Sequence, residues 1–116
     1  MTQQLLPDIG SPFGSDLASI NLARGRDHGL PSYTRFRGLC GFPEIKSFSD
    51  LQKYFRSGSA KLFEQNYKSV DDIDLFMGGM HEITLEEGIL GPVFSCIVAE
   101  QFRRLKCETN SWLLKI

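Results

Sequence analysis

Glycine and proline divide the chain into short segments, and this division constrains the fold more than any other feature of the sequence. Within most segments the apolar residues recur every three or four positions, which is the period of a helix. Few stretches alternate with the period of a strand. The 116 residues suffice for one domain or for a piece of one. The sequence therefore predicts a mainly α structure whose helices are joined by Gly/Pro corners.

Composition and charge argue against two classes of partner. Hydrophobic residues make up 41% of the chain and charged residues 23%, as in a folded domain. The net charge of −1 gives no electrostatic reason to expect nucleic acid or an anionic membrane. No apolar run approaches the length of a membrane span, about 18 residues. The opening "MTQQLLPDIG" shows no signal peptide.

Capping residues predict where several helices begin and end. The stretch 5–15, "LLPDIGSPFGS", is predicted to be a loop, and Ser15 to cap a helix from Asp16 to about Arg24. Pro92 is placed to begin the helix "PVFSCIVAEQFRRLK".

Two further segments predict which residues are buried and where a helix ends. In "PSYTRFRGLC", Tyr33, Phe36, Leu39 and Cys40 share one helical face and Arg37 points away from it. This places Cys40 on the buried side. In "SVDDIDLFMGG" the terminal glycine pair is predicted to end the helix.

The block "INLARGRDHGLPSY" carries the candidate site. On a helix, Leu17, Ile20, Asn21 and Arg24 share one face, which is half apolar and half strongly polar. A buried amide or guanidinium without a partner costs about 1–3 kcal/mol or more. Three partners fit the pattern: an internal carboxylate such as Asp27, surface water, or an anionic or hydrogen-bond-donating ligand group.

The sequence favours a structural role for His28 and predicts no zinc site at the other histidine, His81. Asp27 and His28 are adjacent and point in different directions, so they do not form a catalytic dyad. The pattern favours side chains that hydrogen-bond the turn backbone around Gly29. "HEITLEE" begins like a zinc-protease motif, but Leu85 stands where the second histidine is needed, so no metal site is predicted.

The cysteines are Cys40, Cys96 and Cys107. Their spacing excludes a CxxC zinc pattern, and their odd number excludes complete internal pairing. Sequence position alone leaves all three possible pairs open.

Three ordered blocks resemble the animal haem peroxidase family. They are "FGSDLASINLARGRDHGLPSYTRFRGLCG", "DIDLFMGG" and "GILGPVFSCIVAEQFRRLK". The resemblance covers about residues 12–106, and the tail 107–116 departs from the family pattern. It implies a partial peroxidase domain, a helical fragment from the C-terminal part of the animal haem peroxidase fold.

The resemblance also implies roles for the site residues. Asn21 would accept a hydrogen bond from the proximal histidine that binds the haem iron, which fixes the tautomer of that imidazole. Arg24 would pair with a haem propionate. Leu17 and Ile20 would pack beside the porphyrin. His28 would not be the iron ligand, and its corner would be structural.

A disulfide between Cys40 and Cys96 is implied by the same resemblance. It would enclose 55 residues (96 − 40 − 1) and contribute about 2–5 kcal/mol. Cys107 has no partner in the family. Such a disulfide implies a secreted or extracellular parent protein.

The implied activity is that of a haem-dependent peroxidase, which uses hydrogen peroxide to oxidise halides or small organic donors. The distal and proximal histidines and the calcium site would lie upstream, in the remainder of the peroxidase domain. The fragment would supply haem contacts, not reacting groups, and would be inactive alone. The alternative is a noncatalytic small helical module, derived from a peroxidase, with a binding or structural role.

Overall fold

The computed structural model describes residues 16–113, and their side chains up to residue 107. This part of the chain is mainly helical, as predicted. Its α-helices are α1 (Leu17–Asp27), α2 (Tyr33–Leu39), α3 (Ser59–Asn66), α4 (Leu75–His81) and α5 (Pro92–Leu113). Two 3-10 helices, Phe48–Lys53 and Val70–Asp72, lie between them. The predicted loop 5–15 lies outside the described residues.

The start of α1 differs from the prediction by one residue. Asp16, not Ser15, is the N-cap: its carboxylate accepts hydrogen bonds from the Ala18 amide at 3.0 Å and the Ser19 hydroxyl at 2.8 Å. The helix also runs to Asp27 instead of ending near Arg24. A carboxylate caps a helix as well as a hydroxyl does, so the sequence could not rank the two neighbours.

The predicted start at Pro92 is confirmed, and a second helix start is capped by its own side chains. Ser47 and Asp50 form a capping box at the 3-10 helix Phe48–Lys53. Pro92 is the first residue of α5, where its missing N–H removes a donor that would have no partner inside the helix.

The glycine pair of α4 does not end the helix as predicted. Gly78 and Gly79 lie inside α4 and are buried. A Cβ added at Gly78 would lie 2.3 Å from Cγ of Tyr33, and one at Gly79 would lie 2.3 Å from Cε1 of Phe94. The pair therefore allows α2 and α5 to pack directly against the backbone of α4.

The helical pattern also misplaced Arg37. Its side chain is 2% exposed, whereas Leu39, predicted to share the buried face, is 78% exposed. The guanidinium lies 3.8 Å from the ring centroid of Tyr54 and donates from Nε to the Pro43 carbonyl at 2.9 Å. It is buried because the structure supplies both a ring face and acceptors for it.

A buried carboxylate completes this arrangement. Glu82 lies 3.6 Å from the Arg37 guanidinium and accepts hydrogen bonds from the Tyr33 hydroxyl at 2.7 Å and the Val93 amide at 2.9 Å. Burial, together with the Glu82 carboxylate, raises the pKa of Tyr33, so the phenol stays protonated and donates. We call Tyr33, Arg37 and Glu82 the buried polar network. It joins α2 to the segment before α5 and to the start of α5.

Apolar side chains surround the network and form the core of the described residues. The buried members are Tyr33, Ile45, Leu51, Phe55, Ala60, Phe63, Val70, Ile73 and Val93. Tyr33, Phe55 and Phe63 form a chain of tilted ring contacts with centroids 5.4 and 5.1 Å apart. This core unites α2, α3 and both 3-10 helices with the start of α5.

A disulfide links two segments of the same unit covalently. Cys40, which follows α2, is bonded to Cys96 in α5, with 6.2 Å between the Cα atoms. Cys107 is free and exposed. The pairing implied by the family resemblance is confirmed.

We expect Glu82→Gln to lower the free energy of unfolding by about 3–5 kcal/mol, because it leaves the Arg37 charge buried without a counter-charge. Urea unfolding measures the loss. Glu86→Gln is the matched control, since Glu86 is exposed, and its effect should stay within about 0.5 kcal/mol. Equal effects of the two variants would contradict the role given to the network.

Gly78→Ala should destabilise the fold by about 1–3 kcal/mol, because its methyl group overlaps the Tyr33 ring. Gly38→Ala is the control: Gly38 is also helical, but nothing lies within 4 Å of its added Cβ. That variant should be neutral or stabilising by up to about 1 kcal/mol. Urea unfolding compares the two variants, and a stable Gly78→Ala would refute the close packing.

Candidate functional site

One face of α1 carries the four residues that the sequence pattern grouped. Leu17, Ile20, Asn21 and Arg24 follow one another at helical spacing within the helix. The first three are half-buried and Arg24 is exposed. The structure therefore brings the predicted residues together on one surface.

The polar members of this face have no partner in the part of the chain that the structure describes. Neither the Asn21 amide nor the Arg24 guanidinium is hydrogen-bonded or ion-paired to a described side chain. Asp27, the internal carboxylate considered from the sequence, is exposed and makes no ion pair with Arg24. Of the three alternatives, hydration and a ligand group remain.

An open groove of about 880 Å³ runs beside this face. Asn21 and Arg24 line it, whereas Leu17 and Ile20 do not. The apolar side chains of the groove come from α1, α4, α5 and the corner after α1, namely Leu22, Leu30, Leu75, Phe76 and Phe94. The groove thus combines a large apolar surface with an amide and a guanidinium that are available for contacts.

A charged pair ties α1 to the start of α4. Arg26 donates from Nε to Oδ1 of Asp74 at 2.9 Å and from Nη2 to Oδ2 at 2.8 Å. The Tyr67 hydroxyl also donates to Oδ2 of Asp74, at 2.7 Å. We call these three residues the Asp74 clamp. The two parallel bonds from one guanidinium fix its direction as well as its distance.

The clamp shifts the ionisation of its members. The hydrogen bond from Arg26 lowers the pKa of Asp74, so this carboxylate is ionised at neutral pH. Burial, and after it the hydrogen bond to Asp74, raises the pKa of Tyr67 to about 12. Asp74 is therefore a charge that Arg26 already balances, although it lines the groove.

The corner after α1 is built differently from the expectation. We expected the side chains of Asp27 and His28 to bond the turn, but neither does so among the described residues. Backbone hydrogen bonds close it instead, from His28 to the Arg24 carbonyl at 3.0 Å and from Leu30 to the Gly25 carbonyl at 3.0 Å. Gly29 has φ +63°, which favours glycine. The imidazole of His28 is left exposed at the groove.

The other histidine, His81, makes two contacts with neighbouring residues. Nδ1 of His81 lies 2.8 Å from the Met77 carbonyl, and its ring packs edge-on against Phe63. Across the described residues, no three His, Cys, Asp or Glu side chains meet in a way that could hold a metal ion. None of the described helices is both long enough and apolar enough to cross a membrane.

Sequence reasoning missed Glu82, Tyr67 and Asp74. Glu82 sits in the "HEIT" stretch that drew attention only as a failed zinc motif. Tyr67 lies four positions after Phe63, and that spacing gives no hint of a partner for its hydroxyl. Asp74 precedes α4 directly, so its position before an apolar segment was the one available hint, and it points to a cap rather than to a partner in α1.

Comparisons with known proteins agree on one family. The sequence model described as animal haem peroxidase matches residues 1–112. Peroxidase-like protein 3 of Lottia gigantea is 43% identical over 97 residues, which are 84% of this chain and 31% of that protein. Human thyroid peroxidase is 44% identical over 98 residues, which are 84% of this chain and 10% of that protein.

A solved structure gives the same result. Peroxidase A from Dictyostelium discoideum aligns with a TM-score of 0.69 and 40% identity, covering 80% of this chain and 18% of that one. The chain thus spans less than a third of the length of these relatives.

The Asp74 clamp predicts an acid-dependent contribution to stability. Because the folded pKa of Asp74 is lowered, its contribution is present above the unfolded value, about 3.9, and disappears as the pH falls through the folded value. Asp74→Asn should therefore be less stable than wild type by about 1 kcal/mol at pH 6, and the difference in stability should be smaller at pH 3. Denaturant unfolding at both pH values measures it. Asp27→Asn, which removes an exposed charge, should show little gap at either pH, and an Asp74→Asn gap unchanged by acid would contradict the assignment.

Proposed function

Because the chain belongs to the animal haem peroxidase family, we propose that it forms the C-terminal part of the catalytic domain of a haem-dependent peroxidase. The observation that carries the proposal is the α1 face, where Asn21 and Arg24 lack partners among the described residues and lie beside an apolar groove. The parent reaction would be the oxidation of halides or small organic donors by hydrogen peroxide.

The residues of this face suit a haem. A porphyrin needs an apolar surface at its faces and cations at its carboxylates, and the α1 face, together with the groove beside it, offers both. Leu17 and Ile20 would pack on the porphyrin, and Arg24 would pair with a propionate. Arg26 already neutralises Asp74, so that groove carboxylate does not oppose a propionate. When bound, the haem would supply the peroxide-dependent oxidation chemistry.

Asn21 would act on the histidine that binds the iron, through the ring nitrogen that does not bind the metal. Its amide oxygen would accept a hydrogen bond from the second ring N–H of a proximal histidine in the remainder of the domain. Such an acceptor fixes the imidazole tautomer and makes the imidazole a stronger donor to the iron. His28 and His81 are not assigned as that ligand. The histidines that hold the iron and act on peroxide, and a calcium site, are assigned to other segments, so the 116-residue chain alone would be inactive.

Exposed apolar side chains support a larger domain. Leu39 is 78% exposed, and Val98 and Phe102 on α5 are 42% and 69% exposed. Val98 and Phe102 are four positions apart and share one side of α5, and an exposed apolar patch of this kind marks a contact with another protein segment. The remainder of the peroxidase domain is the occupant that the family implies.

The disulfide supports a secreted or extracellular parent. The Cys40–Cys96 bond requires an oxidising compartment to form and persist. We therefore place the parent protein in the secretory route or outside the cell.

The test uses the full-length, haem-loaded protein that contains this chain. Asn21→Ala should raise the Fe(III)/Fe(II) potential and slow turnover by about 10–100-fold with the fold kept, because the proximal imidazole loses its acceptor. Arg24→Ala should release haem faster. Spectroelectrochemistry and haem transfer to an acceptor protein measure the two effects.

His28→Ala is the matched control, because His28 lies at the end of the same helix and its ring is exposed. It should leave the iron-ligand spectrum unchanged. Loss of that spectrum in a folded His28→Ala protein would overturn the assignments. A full-length protein that folds but binds no haem would favour the noncatalytic helical module.

A further inference from the structure

The helix that carries Asn21 and Arg24 is not held by the core. No residue of α1 is buried against the other described residues. The buried side chains of the described chain belong to α2, α3, α5, the 3-10 helices and the segments between them. The apolar side chains of α1 are at most half-buried, so the direction of its polar side chains needs a further constraint.

The Asp74 clamp supplies that constraint. Arg26 follows Arg24 by two positions, so the two side chains leave α1 on roughly opposite sides, about 200° apart. A fork of two hydrogen bonds from Arg26 to Asp74, at 2.9 and 2.8 Å, fixes one side of the helix. Because a helix rotates as a unit, fixing the Arg26 side of α1 also fixes the direction of Asn21 and Arg24 on the opposite side.

Asp74 is itself rigidly placed. It is the N-cap residue of α4, its side chain is 16% exposed, and the Tyr67 hydroxyl holds Oδ2 at 2.7 Å. The Tyr67 ring stacks on the buried Phe63 with centroids 5.7 Å apart. The clamp thus holds α1 in a fixed position relative to the core.

We infer that Asp74, held by Tyr67 and acting through Arg26, is a positioning residue that orients Asn21 toward the proximal imidazole and Arg24 toward a haem propionate. The inference rests on the proposed function, because it assigns a purpose to the direction of these two side chains. None of the clamp residues touches the reacting atoms. Their effect on the iron is exerted entirely through α1.

The experiment measures the iron–imidazole bond in the full-length, haem-loaded protein. Resonance Raman spectroscopy of the ferrous form reports the iron–imidazole stretching band, which depends on the hydrogen bond to the second ring nitrogen. Hydrogen exchange of the α1 amides reports whether the helix remains docked. The variants are Asn21→Ala, Asp74→Asn and Tyr67→Phe, and the last keeps the ring and removes only the hydroxyl.

We expect Asp74→Asn to shift the band in the same direction as Asn21→Ala, and to speed the exchange of α1 amides because loss of the clamp lowers the free energy of local opening. Exchange in α2 and α4 should be unchanged. Tyr67→Phe should shift the band in the same direction by less. Asp27→Asn is the control: it removes a negative charge from α1 itself without touching the clamp, and it should leave both readouts unchanged.

Each outcome decides between the two proposals. A shift with Asn21→Ala but none with Asp74→Asn in a folded protein would overturn the positioning role and spare the proposed function. No shift with Asn21→Ala would remove the proposed role of Asn21, and the inference with it. If Asp74→Asn fails to fold, Tyr67→Phe decides, and an unchanged band with unchanged α1 exchange would refute the inference. An equal shift with Asp27→Asn would show a charge effect instead of positioning.

Discussion

The buried polar network of Tyr33, Arg37 and Glu82 is the interaction on which the rest of this structure depends. Removing two charges from water is expensive, and the geometry offsets that cost only when the remaining donors and acceptors are satisfied. Here they are: Glu82 accepts from Tyr33 and from the backbone of α5, and Arg37 donates to the Pro43 carbonyl. Because these partners come from α2, Pro43, the segment after α4 and the start of α5, the network is satisfied only in one arrangement of those segments.

The glycine pair and the disulfide make the same arrangement tighter. Gly78 and Gly79 let the rings of Tyr33 and Phe94 touch the backbone of α4, so that α2 and α5 approach from two sides. The Cys40–Cys96 bond joins these two elements covalently. The core of the described chain is thus determined by polar satisfaction and close backbone contact as much as by apolar burial.

The candidate site lies at the edge of this rigid unit, not within it. Asn21 and Arg24 belong to a helix with no buried residue among those described, and the Asp74 clamp connects that helix to the core. Such a division suits a helix whose exposed face contacts a cofactor, since a face that must contact a ligand cannot also be filled by its own chain. The family relationship gives this face its proposed occupant, and the clamp gives it a direction.

Local features of the sequence determined the helices and the face of α1. The capping residues, the spacing of Leu17, Ile20, Asn21 and Arg24, and the start of α5 at Pro92 act over one or two turns, so the pattern could be interpreted without a fold. The disulfide followed from the family resemblance, not from spacing. The tertiary structure decided that Arg37 is buried and Leu39 exposed, that the glycine pair lies inside α4, and that Arg26 meets Asp74 48 positions away. These features depend on partners distant in the chain, and a helical period records which side chains share a face but not what lies opposite that face.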